Sequence, residues 1–319
     1  MQRPLSGGQG VFLLENPMDV LKQHPVRKTK QQKLKFREAV QSYCRKLGYD
    51  VQIEKGSFGV QNVVIGDPRC ARYVVTAHYD TCAVLPFPNL ITPCNFWLFL
   101  GWQLLLVLIL CVPVGLIGGM IGHILDNPDA SVLIAYVLLL LELFWMLFGP
   151  ANLNNANDNT SGVIAVLTLL QIIPKEKRHQ VCFVLFDLEE AGLFGSSAYR
   201  NKHRRETNQQ VILNLDCVGE GDEILLFPTK KVKQDRVFMD RLQALCCSQD
   251  GKSLQLQRSG FSIYPSDQVN FPKGVGIAAF CRSKWAGLYL AKIHTPKDTC
   301  FDEKNIAVLC DFLKNIITE

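Results

Sequence analysis

Seven side chains in this sequence have the chemistry to hold a metal ion or move a proton: His78, Asp80, Asp158, Glu189, Glu190, Asp216 and His294. Most of them close apolar runs. His78 and Asp80 end YVVTAHYD, Glu189 and Glu190 end VCFVLFDLEE, Asp216 ends VILNLD, His294 ends LYLAKIH, and Asp158 opens a helix in NANDNTSG. Imidazoles and carboxylates are among the ligands that bind zinc. Taken singly, each residue has a plainer role: a His after a strand is commonly structural, Asp158 can cap a helix and Asp216 can form a turn. Their shared position changes that balance, because in open α/β sheets functional groups gather beyond the carboxyl ends of the strands.

The elements needed to position these residues follow from the apolar pattern. Phe36, Val40, Tyr43 and Leu47 recur at helical spacing, with Gly48 where a helix should end. Strand-like pieces follow at Val51–Ile53, Val60–Ile65 and YVVTAH. Farther on, Gly162–Ile173 predicts a buried helix stopped by Pro174, VCFVLF and VILNLD predict buried strands, and Asp302–Ile317 predicts a helix with Ile306, Leu309, Leu313 and Ile316 on one face. Strands alternating with helices imply an α/β fold, a mostly parallel central sheet with helices on both faces.

In order and context, AHYDT, NDNTSG, DLEEAGLFGS, NLD and IHTPKDT resemble the zinc aminopeptidase family that includes secreted bacterial leucyl aminopeptidases and glutamate carboxypeptidases. The resemblance runs from about Phe36 to His294. It implies two Zn²⁺ ions bridged by Asp158, with His78 and Asp216 on one ion, Glu190 and His294 on the other, and Glu189 as general base. Such chemistry suits these residue types. Two cations roughly 3.5–4 Å apart need an anionic bridge, and a carboxylate beside a ligand but outside the coordination shell can take a proton from water. Asp80, two residues after His78 on an extended chain, is expected to orient that imidazole. One position departs from the family: where a Ser-Asp-His run is common, this chain has Ser266, Asp267 and Gln268.

A second departure separates His78 from Asp158. Phe96–Ile121 carries no charge and is long enough for a hydrocarbon core of about 30 Å, and Val132–Phe148 follows with one acid, Glu142. Core helices usually keep a polar stripe, and these runs have none. The expected organisation is therefore a peptidase domain in two parts, 1–95 and 149–319, interrupted by a two-helix transmembrane hairpin at 96–148. No Lys or Arg occurs between Arg72 and Lys175, and the link Gly122–Ser131 contains only acids among charged residues. The positive-inside rule then places both flanks, and the catalytic domain, on the cytoplasmic side of a cell membrane. Eight residues from Pro150 to Asp158 span at most roughly 26 Å, so the site should lie near the bilayer surface.

Composition narrows the partners. A net charge of +5, without basic residues interleaved with aromatics, argues against nucleic acid. The cluster Arg27, Lys28, Lys30, Lys33, Lys35 and Arg37 is expected to be a solvated helix face. Twelve cysteines, several in apolar or helical patterns, suit a reducing compartment better than a disulfide framework. MQRPLSGGQG lacks the apolar run of a secretory signal, and VFLLENP is too short to supply one. The expected partners are a peptide substrate and the lipid bilayer; oligomeric state is not legible. A carboxypeptidase or dipeptidase on the same site, a one-zinc glutaminyl cyclase and a non-catalytic membrane receptor are the alternatives to an aminopeptidase. Retention of every expected ligand, His78 included, argues against the last two.

Overall fold

The centre of the molecule is a sheet whose middle strands are buried on both faces. The computed structural model describes residues 14–257 and 260–319; the segment MQRPLSGGQG, with the expectation about a secretory signal, lies outside them. Strands β1–β10 are Val51–Lys55, Gln61–Ile65, Tyr73–His78, Val181–Phe186, Val211–Leu215, Glu223–Pro228, Ser248–Gln249, Lys252–Leu256, Gly274–Ser283 and Gly287–Tyr289. Helices α1–α9 are Asp19–Gln23, Lys30–Lys46, Phe96–Ile124, Pro128–Phe148, Gly162–Ile172, Phe194–Lys202, Lys230–Gln234, Arg236–Leu245 and Glu303–Thr318. The strand order is β1-β2-β4-β3-β5-β9-β6-β8-β7, with β10 paired to β9.

The expected parallel arrangement holds across β4, β3, β5 and β9, the part of the sheet that carries the predicted residues. Beyond them the sheet is mixed. Strands β1 and β2 pair antiparallel with each other and β2 with β4, while β6 runs antiparallel to β9. Only the short segment around Gly56–Val60 joins β1 to β2, a link that permits antiparallel pairing but not a crossover. Register then brings the predicted residues level. His78 pairs with Phe186 at the ends of β3 and β4, and Thr76 pairs with Asn214, which sets Asp216 beside His78.

Helices cover both faces. Helices α2, α5, α8 and α9 pack on one through Phe36, Val40, Leu167, Leu242, Leu309 and Leu313. Helix α6 covers part of the other, where Tyr199 meets Val184 and Phe186. Gly48, at φ +78°, follows the end of α2, a conformation that glycine adopts without steric cost.

The basic cluster is not a solvated face. Lys30 and Lys35 are exposed, but Arg27, Lys33 and Arg37 are buried. Arg27 donates to the carbonyls of Tyr79 (2.5 Å) and His24 (2.6 Å), and Arg37 donates to the Tyr79 hydroxyl at 2.8 Å. Lys33 pairs with Asp187 at 2.6 Å; that carboxylate also accepts from the amides of Gln61 and Leu188. Removing one member of a buried ion pair strands the other. Lys33→Met is therefore expected to destabilise the protein by about 3–5 kcal/mol, measured as a shift in the denaturation midpoint. A shift equivalent to less than about 1 kcal/mol would mean that Asp187 is satisfied by its amides alone.

Helices α3 and α4 form the hairpin, beginning at Phe96 and ending at Phe148. Both are long and apolar enough to cross a membrane. Leu104, Leu108, Leu116, Met120, Leu133 and Phe144 are exposed, unlike the side chains of a core helix. The two helices approach closely at Gly118 and Gly122, where α3 has no side chain. A Cβ on Gly122 would lie 1.7 Å from Ser131 Oγ, and one on Gly118 would lie 2.7 Å from the Ser131 carbonyl.

Candidate metal centre

Beyond the carboxyl ends of β3, β4 and β5 the structure gathers the predicted residues into one cluster, buried at His78, Asp80, Asp158 and Asp216 and half-buried at Glu189, Glu190 and His294. Asp158 lies at its centre. Its Oδ1 is 3.2 Å from His78 Nε2 and its Oδ2 is 2.9 Å from His294 Nε2, so the carboxylate presents one oxygen to each imidazole. Asp216 Oδ1 lies 3.6 Å from His78 Nε2, Glu189 Oε2 lies 3.9 Å from the same nitrogen, and Glu190 Oε2 lies 3.2 Å from His294 Nε2.

The loop carrying Asp158 is held through its own backbone and the two asparagines beside it. Asp298 accepts from the amides of Asn157 (2.8 Å) and Asp158 (3.0 Å). Asn157 Oδ1 accepts from the amides of Gly219 and Glu220, while Asn159 bonds to Leu215, Cys217 and Gly162. These contacts tie the loop to the segment that follows β5, where Asp216 sits. Asp158 does not open a helix: its φ and ψ are −108° and 101°, in an irregular turn Ala156–Ser161 that precedes α5. The peptide bond from Asp158 to Asn159 is cis.

Two other placements differ from expectation. His294 is not at a strand end; β10 stops at Tyr289, and His294 lies in the following loop at φ +60°. Leu188 (φ 55°) and Cys217 (φ 56°), next to Glu189 and Asp216, share this left-handed conformation, which non-glycine residues adopt at a cost of order 1–3 kcal/mol. The Asp80 side chain is 3.7 Å from His78 Nδ1, whereas the main-chain oxygen of Asp80 is closer, at 3.2 Å. The Asp80 carboxylate instead accepts from the amides of Glu189 (3.0 Å) and Glu190 (3.3 Å). It thereby ties the β3 end to the segment bearing both glutamates.

The electrostatics of the cluster favour a cation. Burial pushes the Glu190 carboxyl up to about 8, with Asp158 adding to the effect and His294 opposing it. Burial likewise raises Glu189, and the neighbouring Glu190 adds to it against the pull of His78. Burial alone would lower His78, yet Glu189, Asp158, Asp216 and Asp80 outweigh it and hold the imidazole well above its usual range. Buried carboxylates thus outnumber the imidazoles that face them. Glu190 Oε1 is buried without a hydrogen-bond partner, as expected of an oxygen reserved for a ligand. The donor atoms of His78, Asp158 and Asp216 lie within 4.8 Å of one another, as do those of Cys82, Glu190 and His294. Nitrogen, oxygen and sulfur donors in such groups fit zinc.

Cys82 and Asp298 were not singled out by sequence reasoning. Cys82 continues the alternation His78, Asp80, Cys82, and Asp298 stands in the IHTPKDT segment already notable for His294. In the departing run, Gln268 has a structural place. Its amide accepts from Asn214 (3.2 Å) and donates to the Tyr264 carbonyl (2.6 Å), and a Cβ on Gly276 would lie 2.7 Å from Gln268 Cδ. Asp267 is wholly buried, which pushes its carboxyl up to about 7.

A cleft of about 460 Å³ opens from Glu190 and His294 toward the hairpin. Its walls include Asp80, Cys82, Leu85 and Ala191 from the peptidase body and Leu143, Met146, Leu147 and Phe148 from the last turns of α4. Both lysines at its edge are engaged. Lys28 donates to the Leu147 carbonyl at 2.8 Å, and Lys33 pairs with Asp187.

The fold is similar to solved structures of several enzymes. An aminopeptidase, LapA, from Legionella pneumophila matches with a TM-score of 0.57 at 13% identity, covering 95% of this chain and 72% of that one. A Zn-dependent exopeptidase from Parabacteroides distasonis matches at 0.59 and 13%, covering 94% and 96%. A glutaminyl cyclase from Porphyromonas gingivalis matches at 0.60 and 13%, covering 94% and 95%. In sequence, a vacuolar membrane protease from Lachancea thermotolerans is 30% identical over 89 residues, which span 28% of this chain and 9% of that protein. The model of Peptidase family M28 matches residues 145–312, from the end of α4 through most of α9 and including Asp158, Glu189, Glu190, Asp216 and His294. With more than half of its 319 residues inside that match, the chain belongs to Peptidase family M28, a family of zinc-dependent peptidases.

Proposed function

We propose that this protein is a membrane-anchored aminopeptidase with two zinc ions, which removes amino-terminal residues from peptides. The observation that carries the proposal is the carboxylate of Asp158, with one oxygen toward His78 and the other toward His294. In this proposal Asp158 would be shared between the ions, His78 and Asp216 would hold one, and Glu190 and His294 would hold the other. When bound, the ions supply Lewis acidity at the scissile carbonyl and a lowered pKa for the attacking water. Glu189 takes the proton from that water and returns it to the leaving amine. Asp80 fixes the two glutamates through their amides, so base and ligand move as one unit.

Excess buried acid beside the cleft suits recognition of a free amine, and both lysines lining the cleft are already engaged. A carboxypeptidase would instead need a cation available for the terminal carboxylate. The test is a pair of blocked peptides: amino-terminal acetylation should abolish cleavage, and carboxyl-terminal amidation should leave kcat/KM within about threefold. The opposite pattern would reverse the direction of attack. The proposed organisation is a peptidase domain from residues 1–95 and 149–319, with the hairpin 96–148 in the bilayer and the site at its cytoplasmic surface. The apolar exposed surface of α3 and α4 and the charge distribution of the flanks support that placement.

A further inference from the structure

The cleft beside Glu190 and His294 is built partly from the hairpin, through Leu143, Met146, Leu147 and Phe148. We infer that the last two turns of α4 form a specificity pocket for an apolar side chain of the substrate, next to the bond being cleaved. This rests on the peptidase function proposed above and names the substrate class: peptides with a large apolar residue at the cleaved end, presented at a membrane surface.

Three observations support it. The cleft is continuous with the cluster, since Glu190, His294, Asp80 and Cys82 line it together with Leu143, Met146 and Phe148. Its two lysines are committed elsewhere, Lys28 to the Leu147 carbonyl and Lys33 to Asp187. An acidic substrate side chain would find no free lysine there and would lose its hydration, whereas an apolar one would meet Leu85, Ala191 and the α4 side chains. Finally, the α4 wall is anchored. Lys28 lies just before α2 and binds a carbonyl in the last turn of α4, which fixes this end of the helix against the peptidase body.

The pocket is tested with the full-length protein in lipid nanodiscs and a peptide library varied on both sides of the scissile bond, read by mass spectrometry. Wild type should cleave peptides with Leu or Phe at one of these positions at least tenfold faster, in kcat/KM, than those with Glu. Met146→Trp, which fills the cleft, should lower the Leu-to-Ala ratio about tenfold, the scale on which apolar pockets discriminate, while Ala peptides stay within threefold of wild type. Leu143→Ala, which enlarges the cleft, should shift preference toward Phe and Trp. Should Met146→Trp fold poorly, Leu143→Ala alone decides. Unchanged ratios in folded variants would overturn the pocket and assign this wall to lipid, even with hydrolysis intact. A wild-type enzyme with no peptide hydrolysis would overturn the proposed activity instead, which keeps the two failures distinct.

Discussion

Glu189→Gln is expected to reduce kcat/KM by about 10²–10⁴-fold, the range for loss of a positioned proton-transfer group, while leaving bound zinc unchanged. The substitution keeps the shape of the side chain and the hydrogen bond to the Asp80 carboxylate, because the backbone N–H of residue 189 donates it. Only the ability to accept a proton is lost. Burial and Glu190 raise the pKa of Glu189 when no cation is present; a nearby divalent ion would favour the ionised form needed in a base. Parallel measurement of peptide hydrolysis and zinc content separates base from ligand. A variant that loses zinc along with activity would make Glu189 a ligand, and one that retains activity within tenfold would leave the proposed base without a role.

Asp158→Asn should have the largest effect on the metals themselves. A carboxylate offers two oxygens and a full negative charge to two cations, while an asparagine offers one oxygen and no charge. Although burial opposes ionisation, His294 and His78 hold the Asp158 carboxyl well below its usual range, which favours the charged form that the proposed bridge needs. Zinc content of the purified protein is expected to fall from two ions to one or none, with activity falling by at least the same factor as in the Glu189 variant. Asp298 remains to hold the loop amides, so circular dichroism should show the fold preserved. Two retained ions in Asp158→Asn would remove Asp158 as the bridge.

How much of this was legible in the sequence depended on what each residue acts through. His78, Glu189, Glu190 and Asp216 could be picked out because apolar strand runs announce their own ends, and parallel register makes those ends meet. Asp158 and His294 were recognised by type and motif, but their conformations were not foreseen. The irregular turn around Asp158 is held by Asp298 and Leu215, and the His294 carbonyl accepts from the Leu85 amide, partners that lie far away in sequence. The basic segment 27–37 shows the same limit. Its charge pattern is that of a solvated helix, and only tertiary contact reveals Asp187 and Tyr79 beneath it. Asp80 illustrates a subtler case. Alternation placed it on the same side as His78, yet its carboxylate is engaged by two amides of another strand's loop. The cleft was least accessible of all, since its wall is assembled from residues near 28, 83, 145 and 190.

The position of β3 has a consequence for how the protein is made. Its two neighbours in the sheet, β4 and β5, both come after the hairpin in the chain. During synthesis, β3 therefore leaves the ribosome with both of its edges unpaired and stays so until α3 and α4 have followed. If the hairpin spans a bilayer as proposed, its insertion must be finished, and the chain returned to the side on which it began, before the central strand can find a partner. A nascent chain whose hairpin fails to turn back would leave YVVTAH, an apolar β-prone segment, open to chaperones or to aggregation. In that proposed topology, closure of the sheet, and with it assembly of the cluster around Asp158, would report that membrane insertion has gone to completion.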